Sequence, residues 1–203
     1  MSCGHREEGM RGLWVFAFLL ALTAGWGQVN EGSLQLQLLP GQALKLELSS
    51  GNYRIEPGAA DKVVVISQKK QKEISDEKPH FGIDTNPQEA SVRVEGPRNY
   101  AAVIQIPKNS NLRVRLSGGR LRVNGINGDK DIESNDANIA IDVGRPENYG
   151  KVDASVDVGH IDAPPFQIAQ EGLEQSFTHR GPGSYRLHAH VGMGEIRLYS
   201  GEL

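Results

Sequence analysis

A five-residue pattern of small, polar, apolar, polar, apolar returns five times along this chain and leaves little choice of fold class. It reads Gly51-Asn52-Tyr53-Arg54-Ile55, Gly119-Arg120-Leu121-Arg122-Val123 and Ala137-Asn138-Ile139-Ala140-Ile141. It then returns as Gly159-His160-Ile161-Asp162-Ala163 and Gly194-Glu195-Ile196-Arg197-Leu198. Four copies follow a second alternating segment: Leu44 to Leu48, Leu112 to Leu116, Val152 to Val156 and Leu187 to Val191. Before the third copy only Asp131-Ile132-Glu133 alternates, a poor match. Successive side chains of a strand point to opposite faces, so Leu44, Leu46 and Leu48 share one face while Lys45 and Glu47 share the other. Such one-sided alternation predicts half-buried strands, and a glycine at each junction lets the chain turn.

The copies start at 51, 119, 137, 159 and 194. The two middle steps, of about 20 residues, suit one coil of a stacked β architecture in which each unit buries its apolar face against the next. The expected fold is therefore all-β: one domain, a β-solenoid or β-roll of short repeating strands closed by N- and C-terminal caps. In the long first interval Lys62 to Ile66 reads as a strand buried on both sides, and Ser91 to Glu95 and Ala101 to Ile106 read as further strands. Lys69 to Pro87 is polar and without period, which predicts a solvated loop or hairpin extension. Residues 164–183 form an insertion. Within it Gln167 to Phe177 is the one stretch with room for a helical turn, and Phe166, Leu173 and Phe177 are expected to fold back beneath the last coil. The final strand, Glu195 to Tyr199, is expected to leave an edge open to pairing.

The first 27 residues have the layout of a secretory signal: Arg6 and Arg11, the apolar run Leu13 to Leu22, then Thr23-Ala24-Gly25-Trp26-Gly27. Ten apolar residues are too few to span a bilayer, which takes roughly 20. Met10-Arg11 offers a second possible start. The organisation expected is a signal peptide at 1–27 and an exported domain at 28–203, periplasmic, surface-bound or released. Its contact with the membrane is through the signal segment alone, where that segment is retained. Cys3 lies within the signal and no other cysteine exists, so a disulfide scaffold and a cysteine-based zinc site are excluded. With 22 basic and 25 acidic residues the charge is nearly balanced, which argues against a nucleic-acid partner.

From about Ile104 to Leu198 the chain resembles the bacterial putative adhesin domain family, exported β-solenoid domains related to the head-GIN group. The resemblance rests on Ile104-Gln105-Ile106-Pro107, Asn111 to Leu116, Gly125-Ile126-Asn127-Gly128-Asp129-Lys130, Val152 to Val156 and Tyr185 to Gly192. Leu38 to Ile55 resembles the opening strands of that family. These motifs are turn glycines and strand alternation. They imply an architecture and an adhesion-like role, and they bring no catalytic residues.

Known catalytic signatures are missing: no Gly-x-Ser-x-Gly, no His-Glu-x-x-His, no phosphate loop and no dinucleotide fingerprint. Three constellations stand beside the plainer reading of solvated strand faces. His188 and His190, two apart on one strand, with His160 and Glu195 at equivalent repeat positions, contain enough ligands for zinc. Asn127, Asp129, Asp131, Asn135 and Asp136 are clustered oxygen donors suited to calcium, although Asn, Asp and Gly are also ordinary turn residues. Asp153, Asp157 and Asp162 with Arg145 or Lys151 are the raw material of acid/base cleavage of sugars. None of these fixes a geometry, so no catalytic, cofactor or metal residue is assigned. The expectation is a non-catalytic envelope interaction or adhesin-like module whose partner is a surface protein or glycan. The alternatives are a polysaccharide-acting enzyme and an envelope sensory domain.

Overall fold

The computed structural model describes residues 28–30, 32–68, 78–97 and 99–201. The proposed signal at 1–27 and residues 69–77 of the polar stretch lie outside them. The all-β, single-domain expectation holds: fourteen strands form one sheet that folds back on itself around a single apolar core.

The unit of the fold is a rung with two segments. β3 (Ala43–Leu48) leads into β4 (Gly51–Pro57), β7 (Glu89–Glu95) into β8 (Ala101–Ile106), and β9 (Leu112–Leu116) into β10 (Gly119–Val123). In β11 (Lys130–Asp142), β12 (Tyr149–Ala163) and β14 (Tyr185–Tyr199) both segments belong to one long bent strand. The rungs pair in parallel. Val92, Leu46, Val114, Ile132, Ala189 and Ala154 fall in one register column of the first segments. Tyr53, Leu121, Ile139, Ile196 and Ile161 fall in one column of the second. All eleven side chains are buried. A Val, Leu or Ile in either column is worth about 1.5–3 kcal/mol of burial.

A straight strand cannot bury both segments on the same side, because a continuous period of two would carry the second set outward. The chain solves this with a slip at the corner. In β11 Lys130, Ile132 and Ser134 point inward, Asn135 and Asp136 are both exposed, and Ala137, Ile139 and Ile141 point inward again. Two consecutive outward residues reset the phase, so one strand wraps two sides of the core. The corner also brings backbones close together. Gly194 and Gly159 sit in register with Ala137, at φ of 135° and 146°, and a Cβ on either would strike the carbonyl oxygen of the rung beneath. Glycine is required there by conformation and by space together.

The order of rungs in space departs from their order in sequence. Across the stack it runs β7/β8, β3/β4, β9/β10, β11, β14, β12. Repeat copies adjacent in the chain are thus not always adjacent in the stack, and the last rung made sits between two earlier ones. Antiparallel strands finish both ends. β6 (His80–Thr85) pairs with β7; β5 (Lys62–Ser67) pairs with β8, followed by β2 (Ser33–Gln37) and β1 (Gln28–Asn30); β13 (Ile168–Arg180) pairs with β12.

Several expectations are corrected here. The third copy, a poor match by sequence, is a complete rung, because Lys130 occupies the inward place held elsewhere by Leu44, Leu112 and Leu187. β5 is buried on one face only, with Val63 and Val65 inside and Ile66 exposed. For the polar stretch, by contrast, the hairpin alternative holds at its end, where His80–Thr85 pairs antiparallel with β7. Residues 168–180 form a strand, not a helical turn; the short helical element is the 3-10 turn Pro164–Phe166 before it. Phe166 and Phe177 do pack against the core, but Leu173 is 70% exposed. Glu195 to Tyr199 is no open edge, because β14 pairs on both sides; among the described residues the strands with a single partner are β1, β6 and β13.

Candidate interaction face

The outward positions of the first segments form a ribbed surface of fixed charges. Parallel strands lie about 4.8 Å apart, so side chains in one register column meet across neighbouring rungs. One column reads Lys45, Arg113, Asp131, His188, Asp153, Thr178, and the next reads Arg93, Glu47, Arg115, Glu133, His190, Ser155.

Opposite charges lock these columns together. Glu47 receives Lys45 Nζ at 2.6 Å and Arg93 Nη2 at 2.6 Å. The hydrogen bonds from Lys45 and then Arg93 hold its carboxyl below the ordinary value. Asp131 receives Arg113 Nε at 3.1 Å and Arg115 Nη2 at 3.4 Å, and Glu133 receives Arg115 Nη2 at 3.0 Å. Asp153 is bound by Lys151 Nζ at 2.6 Å and by the Thr178 hydroxyl at 2.8 Å. Burial pushes the Asp153 carboxyl up, yet these two bonds outweigh it and the net shift is downward. Exposed ion pairs contribute little singly; here Glu47, Arg113, Asp131 and Arg115 each have two ionic partners and are held on one sheet. Two shallow depressions open on this face, of about 970 Å³ beside Arg113, Asp131, Asp153 and His188, and of about 590 Å³ beside Glu47, Arg93, Arg115 and His190.

The zinc candidates are divided between two faces. His188 and His190 project from the first segment of β14, whereas His160 and Glu195 face each other in register on the second segments. His190 Nδ1 lies 3.0 Å from the Ser155 hydroxyl, and Glu195 lies 3.6 Å from Arg197 Nε. A different triad is brought together: Asp131, Glu133 and His188 present ligand atoms all within 4.8 Å of one another. Sequence reasoning missed it because the segment carrying Asp131 and Glu133 was not aligned with the other rungs. Those residues could hold a divalent cation, but both carboxylates are already engaged by Arg113 and Arg115.

The calcium candidates are dispersed. Asn127 Nδ2 donates to Asn109 Oδ1 at 2.9 Å, Asp129 accepts the Arg186 amide at 2.8 Å, Asp131 belongs to the charged face, and Asn135 and Asp136 make the corner of β11. The sugar-cleaving candidates separate in the same way. Asp153 is on the first face with Lys151. Asp162 is on the second, bound to Arg197 Nε at 3.0 Å, and Asp157 is exposed at the corner. Arg145 caps the 3-10 turn Pro146–Asn148.

No protein-family model matches the chain, and no curated protein matches it either. Among solved structures the fold is similar to the crystal structure of a putative cell adhesion protein from Clostridium sporogenes ATCC 15579. The match covers 85% of this chain and all of the other, with a TM-score of 0.51 and 12% identity. At that identity the likeness is one of fold alone.

Proposed function

We propose that the chain is an exported, non-catalytic envelope module of β-solenoid type, adhesin-like in role, that binds a surface partner through the ribbed charged face. The observation that carries this reading is the pair of in-register charged columns, pre-organised by ion pairs shared between rungs. A surface already fixed in its bound shape avoids part of the ordering cost of association. The apolar run Leu13 to Leu22 supports export, and the name of the structural neighbour supports an adhesive role.

The test is binding of the purified chain to envelope fractions and to a glycan array. Retention that falls when Asp131 and Glu133 are both changed to Lys is the expected result. Absence of retention on either would overturn the reading, as would reproducible sugar turnover in the same samples.

A further inference from the structure

On the other side of the core the second segments carry a patch with the opposite electrostatic design. Arg54 of β4 and Arg122 of β10 are register partners, one strand spacing apart, with side chains on the same outward face. Arg120, two residues before Arg122, joins that face in register with Asn52 and Asn138. Like charges placed directly opposite on a sheet are destabilising. Elsewhere on the stacked rungs most outward arginines have carboxylate partners: Arg93 with Glu47, Arg113 and Arg115 with Asp131, and Arg197 with Asp162, Arg186 being an exception. Among the described residues no carboxylate oxygen lies within 4.0 Å of the Arg54, Arg120 or Arg122 nitrogens.

Two acids beside this patch are otherwise committed. Glu56 accepts Gln105 Nε2 at 3.1 Å, and Asp142 accepts the backbone amides of Gly144 at 2.8 Å, Gly125 at 3.2 Å and Gly201 at 3.3 Å. A depression of about 420 Å³ opens between Arg54, Arg122, Asn124, Asp142 and Tyr199.

We propose that Arg54, Arg120 and Arg122 form a binding site for the acidic groups of a polysaccharide. Two guanidinium forks one strand apart can both reach a single carboxylate or sulfate. Ala140 follows Arg122 in the same column, so the next rung leaves that anion room. The amides of Asn52, Asn124 and Asn138 beside the arginines supply donors and acceptors for sugar hydroxyls. Arg54, Arg120, Asn52 and Asn138 are exposed, and the large exposed apolar side chain in their columns, Ile66, lies two strands from Arg54, beyond Val103. This site is separate from the charged face of the first segments and stands whether or not that face binds an envelope partner.

Affinity electrophoresis of the full chain through gels containing polygalacturonate, dextran sulfate or neutral dextran tests the proposal. Retardation by one or both acidic polymers, weakened by salt and absent with dextran, is expected, and the arm that retards identifies carboxylate or sulfate as the group read. The pair Arg54→Gln and Arg122→Gln should weaken binding about tenfold or more. Arg145→Gln, exposed beside the 3-10 turn and outside both faces, should leave it unchanged. Thermal unfolding of each variant separates lost binding from lost folding, and Arg120→Gln serves as an independent single change. Equal mobility in acidic and neutral polymers, or wild-type retardation of the folded Arg54→Gln/Arg122→Gln variant, would overturn it.

Discussion

Lys130 donates a 2.7 Å hydrogen bond from Nζ to the phenol oxygen of Tyr149, and the ammonium also sits 5.2 Å from the centre of that ring. A second bond, 3.2 Å, runs to the Gly128 carbonyl. Lys130 is 2% exposed and holds a leucine position of the repeat, with no carboxylate in contact. Burial draws the ammonium down to about 8, against partial support from Asp142 and Asp129. The same burial pushes the Tyr149 phenol well above its ordinary value.

This arrangement fixes a pH dependence. The unfolded lysine titrates near 10.5 and the folded one near 8. Below pH 8 both states carry the proton and the folded state bears the full cost of a buried charge. Between 8 and about 10 the unfolded chain binds more protons, so stability rises with pH. Above pH 10 the raised Tyr149 opposes that rise. Urea unfolding of wild type and Lys130→Met across pH 7 to 10 should show wild type gaining about 2–3 kcal/mol relative to the variant. A constant difference would mean that Lys130 does not titrate in this window.

At the corner column, Gly194→Ala should cost about 3 kcal/mol or more, because the new Cβ meets a backbone carbonyl at a φ that alanine avoids. Ala137→Gly, at the same register position of the neighbouring rung, should cost about 1 kcal/mol. Denaturant midpoints at unchanged slope measure both.

Core and corner side chains should separate as sharply. Ile139, 1% exposed in the middle of its column, should lose about 2–5 kcal/mol on change to Ala. Leu173, exposed on β13, should shift stability by less than about 0.5 kcal/mol on change to Ser. Thermal or urea unfolding of the two variants side by side checks this.

The Asp131, Glu133 and His188 cluster should respond to its arginines. With Arg113 and Arg115 changed to Ala, two positive charges leave the carboxylates and zinc should bind about tenfold tighter than to wild type. Adding His188→Ala should abolish the gain. Isothermal titration with zinc reads both changes.

Glu47 gives an electrostatic test in solution. Its carboxyl should titrate below 4.5 by NMR, and Lys45→Ala should move it back toward that value. Because the folded value is lowered, the stability it contributes is present above the ordinary carboxylate range and is lost as pH falls.

What could be read from the amino acids alone was local. The alternation around Leu46, Leu121 and Ile196 identified strands and their buried sides, and the junction residues 51, 119, 137, 159 and 194 fall in the register column observed. Those features depend on neighbours two residues away. The order of rungs did not show, because nothing in residues 149–163 says that residues 185–199 will slide in beside them. The Asp131 and His188 contact joins residues 57 apart and needs that order first. Lys130 was hidden because a charged residue at a core position reads as an outward one until its rung is aligned.

The late arrival of β14 has a consequence for how the chain is made. Until residues 185–199 exist, β11 and β12 have no partner on the sides where they later meet β14, and β12 with β13 is a hairpin detached from the rest of the stack. The final strand works as a keystone, joining two unfinished halves at once. Truncation after Ser184 should therefore release a contiguous block of about two strands instead of fraying one end, and a nascent chain remains vulnerable to proteases until its last segment emerges.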